Sequence, residues 1–338
     1  IWEHIYDGSG NGHDFPTAIT VDAVGNVFVT GYTQDPTTLD NFILLKYDPN
    51  NGPNPDGTPL WEITYDAGNN GHDRAFAIVA DDVHGVAVTG ESQNATPDFD
   101  CLTIKYNTAG NQEWIRRYSD TGDGRGETLA MDTDGNVVMA GYISNGSDQD
   151  FYVVEYAVDD SPANWADIYD GGLEDHATAI WLDSADNVYV AGDDATLTTG
   201  SDIHVARYDG LTGVKSWSNS YNSGNGYHDM ALDLVGDPNG ELFVVGYKND
   251  SVGGTDNVLA LKVKKDDGTQ LWMKEYDGVG KSDRSLCACL IADGNLLVGG
   301  WSDRWTAGSN DYDFLALKFE SGAINEPTSL ATTVVSNT

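Results

Sequence analysis

The chain has 338 residues, with 17 Lys and Arg against 54 Asp and Glu, a formal net charge of −37. That balance supplies no basic groove for phosphates, which argues against nucleic acid as a partner, and an anionic membrane surface would repel it. No apolar run reaches about eighteen residues, so no membrane span is expected.

Ile1 rather than Met stands first, which reads as removal of an N-terminal segment. Trp2-Glu-His-Ile-Tyr6 then forms the first predicted strand. Thr17–Asp22 is a second apolar-rich strand, turned through Ala23-Val-Gly25-Asn26 into Val27–Tyr32. A polar loop leads to a strand at Phe42–Tyr47, and Trp61–Tyr65 closes the unit. Val, Ile, Phe, Tyr and Thr fill these runs while Gly, Asn, Asp and Pro separate them, the pattern of an antiparallel meander.

The Trp-to-Tyr strand recurs at Trp114–Tyr118, Trp165–Tyr169, Trp217–Tyr221 and Trp272–Tyr276, a period of about fifty residues that marks a repeat array. A Gly is expected to end each second strand (Gly31, Gly90, Gly141, Gly192, Gly246, Gly300) and to permit close backbone approach. The last unit reaches Phe314–Phe319 and then Asn325-Glu-Pro327, where every earlier unit has a Trp. The missing strand stands at the other end of the chain, as Trp2–Tyr6. The expected fold is therefore all-β, a six-bladed β-propeller of four-stranded antiparallel blades over residues 1–322, its ring closed by the N-terminal strand completing the last blade. Residues 323–338 are Thr/Ser-rich and read either as a loose end or as a docking strand for self-assembly.

Cys101, Cys287 and Cys289 have no zinc-ligand spacing and no partner pattern for disulfides, so all three are expected to be small buried apolar groups.

The segments Tyr6-Asp-Gly-Ser-Gly-Asn-Gly-His-Asp14, Ala18-Ile-Thr-Val-Asp22 and Gly25-Asn-Val-Phe-Val-Thr-Gly-Tyr32 resemble the bacterial β-propeller repeat often described as seven-bladed. Six units are counted here rather than seven. The resemblance implies a propeller in a secreted or cell-surface protein, commonly bacterial and often beside adhesion or sorting modules. It brings no catalytic residues.

Two sets of side chains are candidates for chemistry. Asp14, Asp73, Asp175, Asp229 and Asp283 precede the innermost strands, with His13, His72 and His228 before three of them; the third unit has Gly124 there. They read either as a carboxylate ring suited to Ca²⁺ or as groups that bond their own loops and fix the turns. The second set is aromatic: Trp301, Trp305 and Tyr312 in the last unit, with Tyr247 at the position equivalent to Trp301. Such rings stack on sugars or receive a protein anchor, or else pack a long loop. The functional expectation is a non-catalytic binding or structural module whose partner is a protein or glycan on a cell surface. The alternative is a glycoside hydrolase or polysaccharide lyase working through carboxylates on the central face.

Overall fold

The computed structural model describes the chain except residues 1, 9–11, 36–38, 51, 55–57, 69–70, 94–97, 119–121, 198–199, 225–227, 238–239, 250–253, 279–281, 304–311 and 321–338. Trp305 and the tail 323–338 lie outside the described residues. Every regular element among the described residues is a β-strand. The chain divides into two compact units, 1–169 and 170–338.

The first unit holds three four-stranded antiparallel sheets. They are β1 (Asp14–Val21) to β4 (Trp61–Tyr65) through β2 (Val27–Asp35) and β3 (Leu39–Tyr47); β5 (Asp73–Asp81), β6 (Gly85–Gln93), β7 (Phe99–Tyr106) and β8 (Gln112–Tyr118); and β9 (Arg125–Met131), β10 (Val137–Ser144), β11 (Gln149–Tyr156) and β12 (Trp165–Tyr169). The second unit repeats the plan in β13 (Asp175–Leu182), β14 (Val188–Thr196), β15 (Gly200–Tyr208) and β16 (Lys215–Tyr221), and again in β17 (Asp229–Gly236), β18 (Glu241–Asn249), β19 (Asp256–Lys264) and β20 (Gln270–Tyr276). Its last sheet has three strands among the described residues, β21 (Asp283–Leu290), β22 (Leu296–Asp303) and β23 (Tyr312–Phe319).

Within each unit consecutive sheets pack face to face. The second and third strands are covered on both faces and so carry unbroken apolar runs, such as Phe42-Ile-Leu-Leu45, all buried. Phe42 and Leu44 of the first sheet pack on Val86, Val88, Leu102 and Ile104 of the second, with Trp61, Ile63 and Tyr65 alongside. In the second unit Ile203 and Val205 meet Leu242, Val244, Leu259 and Leu261 in the same way. Each such side chain contributes roughly 1.5–3 kcal/mol on full burial. The Trp of a fourth strand reaches over to the next sheet: Trp114 Nε1 donates to the Val158 carbonyl at 3.2 Å, and Trp217 Nε1 to that of Lys265 at 2.9 Å. A buried indole with its N–H satisfied is compatible with this apolar setting.

Every innermost strand carries a β-bulge at the same place. The extra residue is Thr17, Phe76, Glu127, Thr178, Leu232 or Leu286. The six glycines of the second strands sit opposite. A Cβ on Gly90 would lie 1.9 Å from the Arg74 carbonyl oxygen, and one on Gly192 would lie 1.8 Å from that of His176. These glycines do not end their strands, as the sequence led one to expect; each second strand runs three or four residues further. They are required because the bulge drives its own backbone into their space. Thr17 and Thr178 use their bulged position to donate to the next sheet, at the carbonyls of Ala75 (2.9 Å) and Ala231 (2.8 Å).

The end sheets differ from the inner ones. Phe314 is 91% exposed, whereas its counterparts Phe42 and Phe151 are buried. Cys287 and Cys289 are exposed, against expectation, because they lie on this last sheet; Cys101 is buried as expected. The segment Trp2–Tyr6 pairs with no strand, yet it lies against the first sheet, packed with Ile43, Leu45 and Tyr47. Trp2 covers Gly52 of the first sheet's final loop as Trp61 covers Gly110 of the second's and Trp217 covers Gly268 of the fifth's. His4 Nδ1 lies 2.8 Å from the Tyr47 hydroxyl.

Gly90→Ala is expected to destabilise the fold by about 1–3 kcal/mol, the usual cost of overpacking a fixed site. A thermal melt of the variant checks this, and an unchanged Tm would mean the bulge yields freely.

Candidate functional site

Beyond each bulge the strand ends carry polar side chains, and the predicted site residues are found here. Each Asp of the column bonds the loop before it. The backbone N–H of Gly8 donates to Asp14 (3.1 Å), Ala67 to Asp73 (2.8 Å) and Ser223 to Asp229 (2.8 Å), while Gly171 and Gly278 donate to Asp175 and Asp283 at 2.5 Å. All but Asp14 are buried. In the third repeat, Gly124 takes the Asp position and donates its N–H to the Phe99 carbonyl, and Asp123 accepts from the Phe99 N–H at 2.9 Å. Carboxylate oxygens are hard donors of the kind Ca²⁺ takes, and here one oxygen of each is engaged by an amide of its own loop.

His13 and His228 are exposed, and their carbonyls accept the N–H of Gln34 and Asn249. His72 does the same with Gln93, and its ring Nδ1 lies 2.8 Å from Asp40. In the last sheet Trp301 and Tyr312 meet edge to face with ring centres 4.8 Å apart. Tyr247 belongs to the neighbouring sheet of the same unit, and the Arg284 guanidinium bridges the two: 4.1 Å from the Tyr247 ring centre and 5.9 Å from that of Trp301. A hollow of about 510 Å³ adjoins them, lined by Leu286, Gly300, Trp301, Tyr312, Asp313 and Phe314.

Sequence reasoning missed a second column of acids. Asp40, Asp100, Asp150, Asp202 and Asp256, near the start of the first five third strands, are all buried; Asp100, Asp150 and Asp202 share one register, and Asp40 and Asp256 lie one residue earlier. Asp40 pairs with Arg74 Nε and Asp256 with Arg284 Nε, both at 2.6 Å, and Asp100 pairs with Arg117 at 3.3 Å. The signal was present: an Asp six to eight residues before the residue that closes each third strand.

The fourth sheet is the acid-rich exception. Asp193 and Asp194 stand side by side at the end of β14, where the second sheet has Glu91 and Ser92. Ser201 Oγ donates to Asp193 (3.1 Å), Ser220 Oγ to Asp194 (2.5 Å), and His176 Nδ1 is 3.6 Å from Asp193. Burial pushes the Asp175 carboxyl up to about 7; Asp194 and Asp193 push the same way, against the lowering effect of the Gly171 and Ala195 amides. Burial also raises Asp73 and Asp229.

Residues 6–36 match the model of a family described as a β-propeller repeat. No curated protein sequence matches the chain. Among solved structures, a polysaccharide lyase, ulvan lyase, is similar over 88% of this chain and 78% of its own, with a TM-score of 0.56 and 11% identity. The quinohemoprotein alcohol dehydrogenase of Comamonas testosteroni is similar over 94% of this chain and 61% of its own, with a TM-score of 0.52 and 10% identity. BamB of Moraxella catarrhalis is similar over 94% and 88%, with a TM-score of 0.49 and 12% identity. At these identities the first two likenesses speak for the propeller fold alone.

A carboxyl with its pKa raised in the folded state favours folding while protonated, and that contribution is lost as pH rises through the folded value. For Asp175 the window runs from the ordinary 3.8 to about 7. Stability is therefore expected to rise on mild acidification from pH 7 toward pH 5. Asp175→Asn should flatten that slope, as read from Tm against pH. A slope of the opposite sign in the parent chain would overturn the assignment.

Proposed function

We propose that the chain is a secreted or cell-surface bacterial β-propeller that binds a glycan or protein without acting on it chemically. The observation that carries this reading is the aromatic set of the last two sheets, where Arg284 lies over the Tyr247 and Trp301 rings, Trp301 meets Tyr312 edge to face and Tyr312 is 58% exposed. Flat rings next to a guanidinium offer both stacking and directed hydrogen bonds. The Asp column acts in this reading as loop construction, and Ca²⁺ is expected to leave Tm unchanged against chelator; a rise would reassign the column as a metal site.

The proposal includes a six-bladed propeller in which Trp2–Tyr6 is the fourth strand of the last blade. Two features support it, each within its own unit: the last sheet has three strands among the described residues and bares Phe314, and Trp2 sits on the first sheet as the fourth-strand Trp61 sits on the second. Removing residues 1–7 is then expected to lower Tm and to speed amide exchange along 312–319. Unchanged exchange there would sink the closure.

Binding is tested by titrating a glycan panel and comparing Trp301→Ala, which is expected to weaken a positive response at least tenfold. The same panel checks catalysis through new reducing ends or the ultraviolet absorbance of unsaturated products. Turnover of any substrate would replace a binding role with an enzymatic one.

A further inference from the structure

The innermost strands of the second and last sheets hold the same arginine in the same frame. Arg74 and Arg284 each follow the Asp of the column. Each gives its Nε to the buried Asp at the head of the preceding third strand, Asp40 or Asp256, at 2.6 Å. Those two acids share one register, since Asp40 pairs across to Gln34 and Asp256 to Asn249. Each guanidinium also lies over the tyrosine that follows the second-strand glycine, 5.6 Å from the Tyr32 ring centre for Arg74 and 4.1 Å from that of Tyr247 for Arg284. A carboxylate on one edge and a ring beside the guanidinium plane hold the group in place in both repeats.

The outer edges differ. Arg74 donates from Nη1 to Glu91 at 3.1 Å, and its Nη2 lies 3.2 Å from His72 Nδ1. In the last sheet Trp301 stands in the register of Glu91, and Ser282 at the position of His72. Neither occupies the guanidinium's terminal nitrogens: the Trp301 ring centre is 5.9 Å away, and the Ser282 hydroxyl accepts the Asp256 N–H at 3.3 Å. An arginine kept only to tie strands and sheets together spends those nitrogens inward, as Arg117 does on Asp100, Tyr65 and Ser92. Among the described residues Arg284 donates through Nε alone, and neither Nη1 nor Nη2 is a buried atom left without a partner. Its side chain is 38% exposed, so the terminal N–H groups face solvent.

We infer that Arg284, with Trp301 and Tyr312, binds the carboxylate of an acidic sugar, a hexuronate residue. The inference rests on the glycan side of the function proposed above and names the sugar class for that same site. The Nη1 and Nη2 edge presents N–H groups in the fork that matches both oxygens of a carboxylate, whereas a sugar hydroxyl offers a single oxygen. The ligand's carboxylate takes the place beside Arg284 that Glu91 holds beside Arg74. Trp301 is half-buried and Tyr312 is exposed, which leaves ring surface for the C–H face of the sugar. The net charge of −37 repels long polyanions, so the site suits a short oligosaccharide carrying few carboxylates.

The test is calorimetric titration of the full chain with glucuronosyl-xylobiose and with digalacturonate, each beside its methyl ester, and with xylotriose as the neutral sugar. Esterification removes the charge and keeps the ring. At least one acid is expected to bind about tenfold or more tightly than its ester, as a charge-assisted pair should. That ratio is expected to fall to about one in Arg284→Met and in Trp301→Glu, which gives Arg284 the kind of partner Arg74 has. In Trp301→Gln the ratio is expected to persist while both affinities drop. Trp301→Glu carries the test if Arg284→Met fails to fold. Equal binding of acid and ester, a ratio that survives Arg284→Met or Trp301→Glu, or no binding of either acid would overturn the inference. Xylotriose binding that is lost in Trp301→Ala, with no advantage of acid over ester, would overturn it and leave the glycan reading standing.

Discussion

The packing of one sheet's apolar face on the next is the interaction on which the rest of this structure depends. A four-stranded sheet of about fifty residues cannot bury enough apolar surface by itself. Stacking gives its second and third strands cover on both sides, which is why Val86 to Val88 and Val137 to Ala140 are fully apolar and fully buried. The fourth strand is covered on one face only, so β4 and β12 alternate between partly buried and exposed residues. The Trp at its start crosses to the neighbouring sheet and fixes the spacing of the pair. A chain carrying a net charge of −37 holds together against its own repulsion through that packing, repeated from sheet to sheet within each unit.

The bulge turns this packed stack into something with a working end. Below it, side chains of the innermost strands enter the apolar contacts, as Ala179 and Leu234 do. Above it, the backbone is shifted by one residue and the side chains become Asp, Arg, His and aromatic. Buried carboxyls at this level are held by amides, hydroxyls or guanidiniums, the condition for keeping a polar group out of water. The glycine opposite each bulge is therefore a structural consequence of where the polar level begins.

The sequence made the repeat legible because Trp, Tyr, Gly and Asp-rich turns recur at fixed distance, and the predicted strand cores Phe42–Tyr47 and Trp61–Tyr65 lie within the observed β3 and β4. It was less informative about position within a strand. Gly31 reads as a strand end, since glycine weakens strands, and the bulge that demands it leaves only a faint trace in the sequence. Cys287 and Cys289 read as buried because cysteines without a disulfide or zinc pattern usually pack as small apolar groups; their exposure belongs to the last sheet's place in the order. The third-strand acids escaped notice because a lone Asp at the head of an apolar run looks like the end of a loop. Its partners, such as Arg74 for Asp40, lie in the next repeat.

Repetition also separates construction from recognition. At one position of the innermost strand the side chain is Asp in five of six repeats, and its task is the same each time: to hold the loop that delivers the chain. At the very next position the side chains are Phe15, Arg74, Arg125, His176, Met230 and Arg284. The backbone there is shared by all six, so the variation is free of any folding requirement common to the repeats. A frame this regular can accept aromatic, cationic and apolar groups side by side at little cost, because the neighbouring glycine and Asp already fix the geometry. In the binding role proposed above, discrimination falls to that unequal position and the second-strand residues paired with it, among them Tyr32, Glu91, Tyr142, Tyr247 and Trp301.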